Sequence, residues 1–183
     1  MDTVKTNRVS LAQRRRGRGT VRRILLGCGV ASSVLYVAGD VLGTLRYEGY
    51  SYADQWFSEL TAQGAPTRPL MVALNVVPYT LLVAAFAVGV WMLAGPRRAA
   101  RITGVLLLGY AAFGFAGGAL FPMRPREALA TGEETLRNVM HIPATALMSL
   151  CVVLAMGFGP RCSGSGSGTT RTQRLSRSSY SAP

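Results

Sequence analysis

Four stretches of this chain are apolar over lengths that match a bilayer, and nothing else in the sequence limits the fold as strongly. A helix needs about 20 mainly apolar residues to cross the hydrocarbon core. Residues 24–41 are interrupted only by Asp40, residues 69–96 and 102–121 hold no charge, and residues 139–159 contain one histidine near their start. Hydrophobic residues make up 49% of the chain, and apart from Asp40 the charged ones fall between these runs rather than within them. The fold class that follows is all-α, a polytopic transmembrane helical bundle with four spans at about 24–43, 69–95, 102–121 and 139–159.

The arginines then orient the bundle. Lys5, Arg8, Arg14, Arg15, Arg16, Arg18, Arg22 and Arg23 precede the first span, Arg97, Arg98 and Arg101 fill the middle turn, and Arg161, Arg171, Arg174 and Arg177 follow the last. The other two loops mix Arg46, Arg68, Arg124, Arg126 and Arg137 with Glu48, Asp54, Glu59, Glu127, Glu133 and Glu134. The positive-inside bias therefore predicts a multi-pass protein of the cell (plasma) membrane with both termini cytoplasmic. The net charge of +12 raises the question of nucleic acid. Its placement beside the spans points instead to the lipid bilayer, with the N-terminal arginines meeting anionic lipid headgroups, and no nucleic-acid partner is expected.

Arg14, Arg15 and Arg16 before an apolar run resemble the start of a secretory signal, but the run continues past Ala31, Ser32 and Ser33 and three more spans follow. The first helix is read as uncleaved. Cys28 and Cys151 lie within spans and Cys162 in the C-terminal tail, without CxxC or Cys/His spacing, so neither a metal nor a cofactor is expected.

Outside the spans, residues 1–23 carry like charges without apolar periodicity and read as a disordered cytoplasmic arm. In the first outer loop Tyr52, Trp56, Phe57 and Leu60 recur at roughly helical spacing, with Ser51 three residues before Asp54 and Gly64 as a stop. This predicts a short interfacial helix over about 51–63. Pro78 should kink the second span. Gly27, Gly29, Ala31, Ser32 and Ser33 on the first span, and Gly104, Gly109, Gly114, Gly117 and Gly118 on the third, predict close helix contacts, whether within the bundle, with a packing partner or in a homo-oligomer. Residues 161–183 form a Ser/Gly/Arg tail without apolar pattern and read as disordered.

Polar groups gather toward the outer half. Asp40 lies roughly 25 Å along the helix beyond Arg23. Asn75 and Tyr79 are one turn apart on the second span, His141 opens the fourth, and Glu59 sits on the loop above. An intramembrane acid is a candidate functional group, although Asp40 pairing with Arg46 or His141 to lock the bundle explains it equally well. Asp40, Glu59, Asn75, Tyr79 and His141 are thus the candidate outer-side cluster. One histidine cannot build a zinc-hydrolase ligand set, and Ser58 lacks a nucleophile-elbow context, so no catalytic residue is assigned.

Trp56, Phe57, Ser58, Glu59 and Leu60, then Gly64, Ala65, Pro66 and Thr67 leading into the second span, resemble a signature of the family called domain of unknown function 998. Leu120, Phe121 and Pro122, a charged loop and His141 at the head of the next span fit the same pattern, and together the resemblance covers residues 24–159. It implies a helical bundle of prokaryotic inner membranes with no assigned activity, and gives weight to Ser58, Glu59, Pro122 and His141 as family positions. It also implies six spans, where this chain has four, so a C-terminally truncated member is expected. Whether the tail is native or an out-of-frame product is left open: a slipped frame turns TC-type serine codons into apolar ones. The function expected is binding or sensing of a small molecule or lipid at the outer leaflet, or service as a subunit of a membrane complex. The alternative is a membrane enzyme or transporter using an outward-facing Asp/Glu/His site.

Overall fold

The computed structural model describes residues 2–125, 128, 130–132 and 135–159. Among these all regular structure is helical. Four helices are long and apolar enough to cross a membrane: Gly19–Arg46, Arg68–Ala94, Arg98–Leu120 and Leu136–Phe158. The first is the apolar part of α1 (Asp2–Arg46). The second comprises α2 (Arg68–Met71), a π-helical segment (Val72–Val76) and α3 (Val77–Ala94). The third comprises α4 (Arg98–Phe115) and a second π segment (Ala116–Leu120), and the fourth is α5 (Leu136–Phe158). The tail expectation for residues 161–183 lies outside the described residues.

Two expectations are corrected. The segment expected as a disordered arm is helical, since α1 starts at Asp2. Leu, Ala, Gln and Arg in this stretch favour helix, and no proline interrupts it before the first span, so the span's own helix extends backward. The interfacial helix over 51–63 is replaced by turns and a single 3₁₀ turn, Phe57–Thr61. Ser51 does bond Asp54, its Oγ donating to Oδ2 at 2.7 Å, but no helix follows. The helix start lies five residues later, where the Glu59 carboxylate accepts the Trp56 backbone N–H at 3.0 Å while Glu59 N–H donates to the Trp56 carbonyl at 2.9 Å. Trp56 remains exposed while Glu59, Leu60 and Thr61 are buried, so the loop's apolar side plugs the bundle instead of lying flat on the membrane.

Proline at 78 acts through the helix type. Its missing N–H is accommodated directly after the π segment, where Val77 N–H reaches back five residues to the Val72 carbonyl. The second π segment closes likewise, Phe121 N–H donating to the Ala116 carbonyl at 2.8 Å. The two π segments pack against each other at the end of the bundle that carries the 47–67 loop, here the loop end.

The spans pack in series: α1 on α3, α3 on α4, α4 on α5. Small residues set the approach. A Cβ on Gly39 of α1 would lie 1.8 Å from Asn75 Oδ1, and one on Gly118 would lie 2.8 Å from a Val76 methyl. Gly27, which also belonged to the expected contact face, meets nothing. The most deeply buried large side chains are Leu60, Met71 and Thr67, all at the loop end. There Thr67 Oγ1 donates to the Leu60 carbonyl at 2.8 Å and Gln63 N–H donates to the Met123 carbonyl at 2.9 Å, tying the two loops of that end together. The arrangement makes that end the solid part of the protein, while the outer faces of α1 and α5 remain apolar and exposed, as lipid-facing surfaces are.

A cavity at the loop end as the candidate functional site

Beneath the 47–67 loop the spans line a half-open cavity of about 330 Å³. Its floor and walls take residues from every span: Tyr36 from α1, Asn75 and Tyr79 from the second, Tyr110 and Gly118 from the third, His141 and Thr145 from α5. Trp56, Phe57, Ser58 and Thr61 of the loop form its cover. Among the described residues, no aspartate, glutamate, lysine or arginine lines it.

The aromatic wall is continuous. Tyr36 stacks on Phe57 with ring centroids 5.1 Å apart and an interplanar angle of 30°, and meets Tyr79 at 5.3 Å. The Tyr79 and Tyr110 hydroxyls are 2.7 Å apart, so one donates to the other and the pair keeps one free O–H. These three tyrosines are the only ones within the spans, and they converge on one cavity. Sequence reasoning found Tyr79 and missed Tyr36 and Tyr110; a phenol in an otherwise apolar span was the available signal. Tyr hydroxyls need partners when buried, which draws such residues together.

His141 is fixed by backbone. Its Nδ1 lies 2.7 Å from the Phe121 carbonyl and 3.2 Å from the Gly117 carbonyl. Both are acceptors, so Nδ1 carries the proton and donates to them. The carbonyls are available because the helix ends at this π segment and its last C=O groups have no intrahelical donor. In the neutral ring Nε2 is then a hydrogen-bond acceptor. Asn75 makes a different contact: Nδ2 donates to the Tyr36 carbonyl at 3.2 Å, and Oδ1, buried, has no hydrogen-bond partner and abuts Gly39.

The five-residue cluster expected from sequence is therefore divided. Asn75, Tyr79 and His141 share the cavity; Asp40 and Glu59 do not line it. Asp40 Oδ2 accepts from the Tyr52 hydroxyl at 3.3 Å, and the same hydroxyl lies 3.1 Å from Thr44 Oγ1. Burial, and next the Asp40 carboxylate, push the nearby Tyr50 phenol above its ordinary value. Glu59 turns back on its own turn, accepting from Trp56 N–H and from Gln55 Nε2 at 3.4 Å. The reason is local geometry: a cap holds the Glu59 carboxylate within its own turn, and Asp40 meets a loop phenol before it can meet α5. Of the family positions, Ser58 and His141 line the cavity, while Pro122 is buried just past the second π segment. No group of three His, Cys, Asp or Glu able to hold a metal occurs among the described residues.

Four apolar helices, two of them broken by π segments around a shared cavity, define a multi-pass membrane protein built on a helical bundle. The chain belongs to the family described as protein of unknown function (DUF998), whose model matches residues 30–179. No curated protein and no solved structure matches it.

Proposed function

We propose that the protein binds a small amphiphile from the outer leaflet in the cavity beneath the 47–67 loop. One observation carries the reading: a cavity bounded by all four spans, mostly apolar, with a few polar groups whose hydrogen-bond geometry is already set. Binding sites have this form, and about 330 Å³ falls at the lower end of their usual range. The cavity does not carry the alternative built on an Asp/Glu/His site, because Asp40 and Glu59 do not line it. In this reading the arginine-rich segments lie in the cytoplasm of a plasma membrane, which puts the cavity on the outer side.

The test is native mass spectrometry of the protein released from a mild detergent extract. A retained or saturably bound lipid is expected, and Gly117→Leu should abolish it by filling the cavity; a Cβ at Gly117 has 3.8 Å to its nearest neighbour, so the start of the side chain fits. Wild-type protein that shows no saturable binding of any component of a total lipid extract refutes the reading.

A further inference from the structure

Resting on that reading, we infer the class of the ligand: an uncharged amphiphile with a hydroxyl-bearing head, which enters sideways from the bilayer between α1 and α5. The head is argued from the polar inventory. With Nδ1 of His141 held by two carbonyls, the ring offers Nε2 as an acceptor and nothing as a second donor while neutral. The Tyr79–Tyr110 pair offers one O–H donor and spare lone pairs. A group that both donates and accepts, such as an alcohol, satisfies this set. A carboxylate or phosphate does not, since among the described residues no Lys or Arg lines the cavity and a desolvated charge without a partner is costly. A wholly apolar head leaves Nε2 and the phenol unpaired, which is also unfavourable.

The route is argued from packing. α1 and α5 both contribute to the cavity, through Tyr36 and through His141, Thr145 and Met148, yet they are not packed as neighbours. α1 rests on α3 and α5 on α4, so among the described residues the cavity's side between α1 and α5 is the one without extended helix packing. The loop meanwhile covers the end, with Leu60 fully buried and Phe57 stacked on Tyr36. A cavity at the lower end of the binding-site range takes a head and the first part of a chain. The remaining chain then lies among the bilayer lipids beside the gap.

The experiment is a native mass-spectrometry titration of the full chain in detergent with four probes: monoolein, oleyl methyl ether, oleate and glycerol. Monoolein should bind at least about tenfold more tightly than the ether or oleate, and glycerol should not bind, because the chain supplies the apolar contact. His141→Asn keeps a donor near the Nδ1 position and removes the Nε2 acceptor, so it should weaken monoolein about tenfold, equivalent to about 1.4 kcal/mol, without changing the ether. Equal or tighter binding of the ether or oleate overturns the hydroxyl-head assignment, while the cavity reading stands on the lipid-extract result. Binding of glycerol as tight as monoolein overturns entry from the bilayer. Saturable binding of extract lipid with no binding of any probe overturns this inference alone, and absence of both overturns the two together.

Discussion

Replacing Gly39 by alanine separates packing from helix propensity within a single helix. The added Cβ would lie 1.8 Å from Asn75 Oδ1, 2.5 Å from Cγ and 2.9 Å from Nδ2, all of one buried amide. That amide has to leave its notch, and with it goes the bond from Nδ2 to the Tyr36 carbonyl. Overpacking costs about 1–3 kcal/mol. Polar groups left unpaired in a buried place cost about 1–3 kcal/mol more. Against these stands a gain of about 1 kcal/mol for alanine over glycine in a helix. The net is a loss of about 3 kcal/mol. Gly27→Ala, on the same helix with open space around it, should show only the gain. Reversible unfolding in mixed micelles measures both. Asn75→Ala should relieve the Gly39→Ala defect, giving a coupling of about 2 kcal/mol in the double-mutant cycle, within the range seen for residues in contact. If Gly39→Ala matches Gly27→Ala to within about 0.5 kcal/mol, or if the double variant is no better than additive, the contact between α1 and the Val72–Val76 segment is not formed as described.

Other outcomes follow from the same geometry. Glu59→Ala removes the acceptor for Trp56 N–H and should cost about 1 kcal/mol, read as a lower melting temperature in detergent and faster proteolysis within 47–67, with Glu59→Gln retaining part of the protection. Tyr79→Phe and Tyr110→Phe each break the 2.7 Å hydroxyl pair at about 1 kcal/mol, and the double variant should cost less than their sum, measured by thermal melting in detergent. In a background without native cysteines, cysteine at Gly49 should react with a membrane-impermeant maleimide on intact cells and cysteine at Pro96 should not; the reverse result refutes the N-in, C-in orientation.

The spans themselves were legible from the sequence because a bilayer leaves only helices and closed barrels, and a continuous apolar run of about 20 residues fits a helix and not the short alternating strand of a barrel. The family was legible too, carried by the Trp56–Leu60 run and by His141. The loop was misread. Tyr52, Trp56, Phe57 and Leu60 have helical spacing, but the Glu59 cap starts the turn only at Trp56, and Leu60 gains more by plugging the bundle than by lying at an interface. Asp40 shows a related limit: sequence gives depth along a helix but not the partner across the gap, and that partner is Tyr52 rather than Arg46 or His141.

The sequence by itself determined the number of spans, the helical class and the placement of charge, because these depend on local composition and on the membrane as solvent. The tertiary structure alone decided which polar groups share a site. Three tyrosines and His141 sit on four different helices, and they meet only because two π segments and a row of glycines set the approach and rotation of those helices.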